Sequence, residues 1–133
     1  MPHTAKIYPD HVSLVLSGNV TVKDVAEIAA FLTKLEGTSK ASLHRYVDVA
    51  AVKEMQVNFR DLHELSTQRA KVKLKNRVKT AVVAETNEQY GMARMFELLN
   101  QQRDTEVAVF RNAATALRWL KLQPDANAPA KKG

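Results

Sequence analysis

The residues from Val78 to Ala84 read VKTAVVA, a short and nearly continuous apolar run that is rich in β-branched side chains. A strand that faces water on one side alternates apolar and polar residues, whereas a strand covered on both faces does not. The run therefore predicts a strand covered on both faces, as in the parallel sheets of α/β proteins.

Further strands are predicted on both sides of this run. Four segments have strand composition and are bounded by turn signals: Lys6–Tyr8, Val12–Ser17, Leu43–Val49 and Glu106–Phe110. Pro9 and Asp10 predict a tight turn that makes the first two strands a hairpin. Gly18 and Asn19 are expected to close the second strand, and the passage 50–57 (AAVKEMQV) is predicted to be irregular.

Helices are predicted between the strands from apolar stripes at helical spacing and from capping residues. The predicted caps, in chain order, are Thr21 with Asp24, Asn58, Thr86 or Asn87, and Asn112. Gly37 is expected to end the first helix. The predicted inward stripes of the second and third helices are Phe59, Leu62, Ser66 and Ala70, and Met92, Met95, Phe96 and Leu99. At this spacing the methionines indicate core packing rather than a cofactor site.

The order of these elements predicts an α/β protein with one layered domain over residues 1–122. Its sheet is expected to hold four or five mostly parallel strands with an antiparallel N-terminal edge strand, together with four helices. From Gln123 onward the periodicity ends, so residues 123–133 are predicted to be a disordered tail.

The chain of 133 residues contains no cysteine, which excludes disulfides, thiol catalysis and zinc sites built on thiolates. No apolar stretch approaches the roughly 20 residues that a membrane span needs. The first ten residues also lack the apolar core of a signal peptide. We therefore expect a cytoplasmic protein with no transmembrane segment.

The net charge of +6 is concentrated in Arg69–Lys79, a basic segment that holds six cations and no acid. Such a segment can attract phosphates or an anionic surface, although charge runs more often form a solvated face. No aromatic residue interleaves with the cations to stack on bases, so we do not expect nucleic-acid binding. The sequence leaves open whether the basic segment is functional or a solvated face.

Familiar catalytic motifs are absent from the sequence. The four glycines are isolated from one another, so neither a phosphate-binding loop nor a dinucleotide fingerprint is present. His63 and Glu64 begin the nearest approach to a zinc-protease motif, but Thr67 stands at the second ligand position. No serine lies in a Gly-x-Ser-x-Gly elbow. We expect no enzyme activity, no cofactor and no bound metal.

Polar residues follow the ends of the predicted strands, where ligands bind in open α/β sheets. Asp48 and Glu85 could form a carboxylate pair for acid–base work, but we favour the interpretation that each caps or salt-bridges a neighbouring loop. Arg94 lies one helical turn after Tyr90, where its guanidinium could reach that ring or Glu85. It could equally bind an anionic ligand, as could Arg111 after the last strand.

The residues VDVAAVKEM run into Gln56–Phe59, and this passage and the element order resemble the STAS domain, the fold of bacterial anti-sigma-factor antagonists. In that family a strand leads into Asp-Ser-Ser-Gly-Leu at the start of a helix. The family's phosphorylated serine falls on Val57, the following serine on Asn58 and the glycine on Phe59. The resemblance implies a regulatory fold that lacks the phosphorylatable hydroxyl.

The C-terminal half resembles an uncharacterised bacterial branch of this family, the SpoIIAA-like proteins. Its motifs match at Ala81–Ala84, Tyr90–Met95, Val107–Phe110 and Ala116–Leu120. This branch is sometimes grouped with CRAL–TRIO-type lipid-binding domains. The motifs are mostly structural, so they imply the fold more than any activity.

We therefore hypothesise a non-catalytic regulatory domain that binds a protein partner or self-associates as a homodimer. The alternative is a carrier of a small anionic or amphiphilic ligand, such as a fatty acid, in the strand-end cleft with its head near Arg94 or Arg111. The candidate partner- or ligand-binding residues are Asp48, Gln56, Val57, Asn58, Phe59, Glu85, Tyr90, Arg94 and Arg111.

Overall fold

Five strands form one sheet: β1 (His3–Ile7), β2 (His11–Thr21), β3 (His44–Gln56), β4 (Val78–Val83) and β5 (Thr105–Phe110). They lie side by side in chain order, with β1 antiparallel to β2 and the other neighbours parallel. The computed structural model describes residues 3–100 and 104–121. The predicted α/β class, with an antiparallel N-terminal edge strand, is confirmed.

Four helices complete the fold: α1 (Val22–Thr38), α2 (Phe59–Arg69), α3 (Asn87–Leu99) and α4 (Ala113–Leu120). Each begins at a predicted cap, because the side chains of Thr21, Asn58, Thr86 and Asn112 each accept a backbone N–H three residues on. At its other end, α1 continues through Gly37 to Thr38 rather than ending at the glycine.

The helices cover both faces of the sheet. On one face, strand residues pack with residues of α1 and α3 in a cluster that includes Val12, Leu14, Val82, Leu32 and Ala93. On the other face, α4 covers the strands through a smaller cluster of Ala81, Val83, Ala116 and Leu120. β4 is therefore buried on both sides, as its continuous apolar run predicts.

β2 and β3 are longer than their sequences predict. Gly18 lies inside β2 with a φ of 68°, at a point where the register with β3 shifts, and Gly tolerates this φ without a steric penalty. The passage 50–57 was predicted to be irregular, yet β3 continues to Gln56 because it pairs with the extension of β2 as far as Thr21. The two extensions pair with each other across this bulge, which gives each of them hydrogen-bond partners along the shared edge.

The start of α2 also differs from the prediction. Phe59 is 58% exposed rather than part of the inward stripe, whereas Leu62 and Ser66 are buried as expected. Val57 and Leu62 occupy the positions of a hydrophobic staple around the Asn58 cap, and both are buried. Val57 therefore takes the inward place at this end of the helix, and the Phe59 ring turns outward.

The third helix shows a similar difference. Ala93 is its buried residue, whereas Phe96 is 37% exposed and Met92, Met95 and Leu99 are half-buried.

The predicted tail over 123–133 lies outside the described residues, so the boundary at residue 122 stays a prediction. Within the described ranges, no helix combines the length and apolar content that crossing a membrane requires.

Candidate ligand-binding cavity

A cavity of about 660 Å³ lies between the sheet and the helices α1, α2 and α3. Most of its wall is apolar, formed by Leu14, Leu16, Val25, Ile28, Leu32, Val47, Val49, Val52, Met55, Leu62, Leu65, Val82, Met92, Phe96 and Val107. Protein interiors are normally close-packed, whereas small-molecule sites are mostly apolar and measure about 300–1,000 Å³. The cavity therefore has the size and the lining of a ligand site.

Small side chains on the covering helices leave this space. Ala29 of α1, Ser66 of α2 and Ala93 of α3 all line the cavity. The sheet beneath contributes valines and leucines, which do not reach far enough to fill the volume above them. Each of the three helices thus contributes a small side chain to the wall of the same cavity.

One end of the cavity carries a buried cluster of charges, which we call the arginine–glutamate cluster (Glu36, Arg45 and Arg69). Glu36 Oε2 lies 2.5 Å from Nη2 of Arg45, and Glu36 Oε1 lies 2.9 Å from Nη1 of Arg69. The three side chains are 5%, 7% and 14% exposed. Arg45 Nη1 also donates a hydrogen bond to Thr80 Oγ1 over 3.3 Å.

Burial dominates the electrostatics of Arg45 in this cluster. It lowers the pKa of the Arg45 guanidinium, the neighbouring Glu36 raises this pKa, and the charge of Arg69 lowers it. An arginine keeps its proton under such conditions, so both guanidinium groups carry a positive charge beside the Glu36 carboxylate. Both guanidinium groups belong to residues that line the cavity, and Glu36 lies behind them.

Ser66 adds a polar group to the same wall. The residue is 5% exposed and lines the cavity, and its Oγ has no hydrogen-bond partner among the described residues. Buried hydroxyl groups nearly always have a partner. The Ser66 oxygen is itself closed off from a water-sized probe, so this hydroxyl is buried within the wall of the cavity.

The opposite end of the cavity lies at the carboxyl end of β3 and the start of α3, where Lys53, Glu54 and Glu88 are exposed lining residues. Gln89 joins these two elements, since its Nε2 donates to the carbonyls of Ala50 at 3.1 Å and Val52 at 2.8 Å. This residue thereby holds the start of α3 against β3 beside the cavity.

Of the sequence-based candidates, Glu85, Tyr90 and Arg111 come together at the ends of β4 and β5. The Arg111 guanidinium lies 4.3 Å from the centroid of the Tyr90 ring and donates to the Glu85 carbonyl over 2.9 Å. It also donates to Asn87 Oδ1 over 3.0 Å. These contacts tie the β4–α3 loop to the end of β5.

Arg94 does not join this group. Its Nη1 lies 2.5 Å from Glu97 Oε1 one turn further along α3, and its side chain is 47% exposed. The contacts expected of Arg94, with the Tyr90 ring or with Glu85, are made by Arg111 instead.

Asp48 lies inside β3 and bonds within its own strand. Its Oδ1 accepts the backbone N–H of Ala50 over 2.9 Å, a contact within the strand rather than with a neighbouring loop. Burial, with a contribution from the Asp48 charge, raises the pKa of Tyr46 to about 12.

The β3–α2 connection holds the remaining candidates. Gln56 is exposed and donates to Glu54 Oε1 over 3.3 Å, and Asn58 caps α2 by accepting the N–H of Asp61 over 2.9 Å. Val57 is buried, and the exposed Phe59 ring stacks on His63 with centroids 6.1 Å apart. No hydroxyl-bearing residue lies between the end of β3 and the first turn of α2.

Several cations of the basic segment have structural contacts. Arg69 belongs to the arginine–glutamate cluster, and the Lys75 ammonium group donates to the Ser39 carbonyl. The Lys79 ammonium group lies 5.0 Å from the centroid of the Trp119 ring. Part of this segment therefore stabilises the fold, while the side chains of Lys71, Lys73 and Arg77 are exposed.

One set of potential metal ligands occurs among the described residues, formed by His3, Asp24 and Glu27. Asp24 Oδ2 already accepts hydrogen bonds from the backbone N–H and the hydroxyl of Thr21, and these bonds lower the pKa of Asp24. We interpret this group as part of the start of α1.

Sequence reasoning missed Glu36, Arg45 and the inward role of Arg69. The sequence of β3 contains a signal for Arg45. Arg45, Val47 and Val49 are spaced two residues apart, so their side chains lie on the same face of the strand. An arginine at an inward strand position requires a buried anionic partner. Its partner, Glu36, follows directly after Leu35 on α1 and gives no comparable signal.

No family model matches the chain, and a search of curated proteins finds no match. Among solved structures, an uncharacterized DUF3478-family protein from Shewanella loihica PV-4, described as having a SpoIIAA-like fold, is similar to this chain. The match covers 89% of this chain and 91% of that one, with 17% sequence identity and a TM-score of 0.58. At this identity the likeness concerns the fold alone. The chain therefore has a SpoIIAA-like fold, as its motifs imply.

Proposed function

We propose that the protein is a non-catalytic binding domain that holds a small amphiphile in its interior cavity. The observation that carries this proposal is a mostly apolar cavity of about 660 Å³ that ends at buried charged side chains. An apolar wall with few convergent polar groups suits a molecule with an apolar body and one polar end. The SpoIIAA-like fold supports a regulatory or binding role of the STAS type, and the lack of cysteine supports a cytoplasmic setting.

This proposal places the ligand inside the fold rather than in the strand-end cleft. Arg111 is engaged with the Glu85 carbonyl and Asn87, and Arg94 is paired with Glu97. Neither guanidinium belongs to a residue that lines the cavity. The interior arginines Arg45 and Arg69 take the role that the sequence-based alternative gave to these two residues.

A cavity-filling substitution tests the proposal. Ala29 is half-buried and lines the cavity, whereas Ala30 is exposed on the same helix, so Ala29→Phe and Ala30→Phe form a matched pair. We expect native mass spectrometry to detect a bound molecule in the parent and in Ala30→Phe after incubation with laurate or methyl laurate. Ala29→Phe is expected to stay ligand-free because its ring occupies the space. Failure of the parent to retain either probe contradicts the proposal.

A protein partner is the second candidate ligand, and the exposed Phe59 favours it. The ring is 58% exposed at the start of α2 and stacks on His63, although apolar side chains of this size are usually buried. By the resemblance described above, Phe59 directly follows Val57 and Asn58, the positions where STAS domains carry their serines. We propose that a partner protein or a second copy of the chain binds at Gln56–Phe59.

Phe59→Asp tests this second candidate, with Arg60→Asp as a neighbouring exposed control. Sedimentation velocity and pull-down from a bacterial lysate are expected to show loss of self-association, or of a captured partner, in Phe59→Asp. The control is expected to retain it. Equal behaviour of both variants and the parent removes this surface from consideration.

A further inference from the structure

We infer that exposed cations at one end of the sheet dock the protein on the surface of an anionic phospholipid bilayer. These cations belong to the loops that precede β3 and β4, and we call them the basic surface: Lys40, Lys71, Lys73, Lys75 and Arg77. The inference goes beyond the proposed function and does not depend on the cavity.

Hydrogen bonds hold the two loops of the basic surface together. Asn76 Oδ1 accepts the backbone N–H of Ser42 over 2.9 Å, and Asn76 Nδ2 donates to the Ser42 carbonyl over 3.0 Å. The Ser42 hydroxyl accepts the backbone N–H of Lys75 over 3.0 Å. The Lys75 ammonium group donates to the carbonyl of Ser39, the residue before Lys40. The cations are therefore presented on one joined surface rather than on two independent loops.

Within the α2–β4 loop, apolar and basic side chains are separated. Val72 and Leu74 are half-buried, whereas Lys71, Lys73 and Arg77 are exposed. These three cations have no ion-pair partner among the described residues. Their charges therefore face solvent, where a negatively charged surface can approach them.

The helix dipole does not account for these cations. A cation stabilises the C-terminal end of a helix only within about the last turn, and α2 ends at Arg69. Lys73 and Arg77 lie in the loop beyond this end. Like charges that are held close together repel one another, so their concentration on one surface favours an anionic partner.

Neighbouring elements leave this end of the protein positively charged. The end of α4 lies beside the start of β4, because the Lys79 ammonium group donates to the Trp119 carbonyl over 3.4 Å. This end of α4 adds two more exposed cations, Arg118 and Lys121. Three exposed acids lie at the β1–β2 turn and the start of β5: Asp10, Asp104 and Glu106. The cations outnumber these acids.

A bilayer fits this surface better than a nucleic acid does. Proteins read duplex DNA by placing a helix or a β-ribbon in a groove, and they bind single strands by stacking bases on aromatic side chains. The basic surface is formed by loops, and its residues include no aromatic side chain. An anionic bilayer attracts clustered Lys and Arg through charge alone.

Sedimentation with vesicles tests the docking. At about 0.1 M salt we expect binding to vesicles of phosphatidylcholine with phosphatidylglycerol but not to phosphatidylcholine alone, because only the first are anionic. Binding is expected to be lost at about 1 M salt, where the Debye length is about 3 Å. Absence of binding to the anionic vesicles overturns the inference, and binding to a DNA duplex in that case assigns the surface to a nucleic acid. Equal binding to both kinds of vesicle also overturns it.

Two double variants with the same loss of charge locate the surface. Lys73→Gln with Arg77→Gln neutralises two of its cations, whereas Lys23→Gln with Arg60→Gln does so at exposed positions where α1 and α2 begin. We expect the first variant to bind anionic vesicles at least about tenfold more weakly and the second to bind like the parent. Circular dichroism checks that both are folded. Equal weakening shows that net charge alone acts, which overturns the assignment.

Ala29→Phe separates this inference from the proposed function. The substitution fills the cavity and leaves the basic surface unchanged, so we expect this variant to bind anionic vesicles like the parent. Retained vesicle binding in a protein that holds no laurate leaves the docking in place while the cavity function fails. Loss of vesicle binding in a folded Ala29→Phe protein overturns docking through the basic surface.

Discussion

Arg45 and Glu36 form an ion pair in the interior, with Nη2 and Oε2 separated by 2.5 Å and both side chains less than a tenth exposed. Glu36 lies in the last turn of α1, where the helix dipole disfavours a negative charge. Buried ion pairs of this kind often stabilise a fold no more than apolar residues of the same volume do. The position of this pair at the end of an apolar cavity therefore agrees with a role in ligand binding.

Glu36→Gln is expected to lower the free energy of unfolding by about 3–5 kcal/mol, because the substitution leaves two buried guanidinium groups without their carboxylate. Urea unfolding followed through the fluorescence of Trp119, the single tryptophan, measures this change. Glu27→Gln, at an exposed position of the same helix, is the control and is expected to change stability by less than about 0.5 kcal/mol. A Glu36→Gln protein as stable as this control contradicts the prediction.

Stability is expected to fall as the pH drops below about 7, with His44 as one cause. Burial, followed by the charge of Lys79, lowers the pKa of His44 from its ordinary 6.5, and His44 Nδ1 accepts the Lys79 N–H over 3.0 Å. As the pH falls through 6.5, the unfolded chain therefore takes up a proton that the folded chain resists.

His44→Asn tests this pH dependence, because Asn Oδ1 can accept the same N–H without titrating. The free energy of unfolding, measured from about pH 7 to pH 5, is expected to fall less steeply in this variant than in the parent. Identical slopes show that His44 makes no contribution.

Asn58→Ala is expected to destabilise the protein by about 1 kcal/mol, since the N–H of Asp61 loses its side-chain acceptor at the start of α2. Asn58→Ser retains a capping oxygen and is expected to match the parent. Thermal unfolding compares the three proteins. If Asn58→Ala and Asn58→Ser lose the same stability, the loss has a cause other than the capping hydrogen bond.

Gln89→Glu is expected to cost about 1–3 kcal/mol, because Nε2 donates to the carbonyls of Ala50 and Val52 and a carboxylate oxygen cannot donate. The side-chain shape is unchanged, so the loss reports on these hydrogen bonds. Gln68→Glu, at an exposed position of α2, is the control in urea unfolding. A Gln89→Glu protein of parental stability indicates that the two contacts contribute little.

Element order was predictable from the sequence because its signals are local. The run Val78–Ala84 identified the strand that is buried on both faces, and the caps at Thr21, Asn58, Thr86 and Asn112 identified the helix starts. A cap and its partner lie three residues apart, so the sequence window itself contains the interaction.

Predictions that depend on partners distant in sequence were wrong or absent. The passage 50–57 has no strand periodicity, and β3 extends through it to Gln56 because β2 lies beside it. Phe59 was assigned to the inward stripe, but Val57 already occupies that place next to Leu62. Arg94 was placed within reach of Tyr90 or Glu85 or of an anionic ligand, and the contact with the Tyr90 ring is made by Arg111 from another strand end.

The sequence by itself determined the α/β alternation, the helix starts and the absence of familiar catalytic motifs, since all of these depend on neighbouring residues. The cavity and the arginine–glutamate cluster were decided only by the tertiary structure. Ala29, Ser66 and Ala93 are unremarkable on three separate helices, and Glu36 is 9 positions from Arg45 and 33 from Arg69. Only the packing of these helices on one face of the sheet brings the small side chains opposite one another and buries the charges together, because both effects depend on contacts that no local pattern encodes.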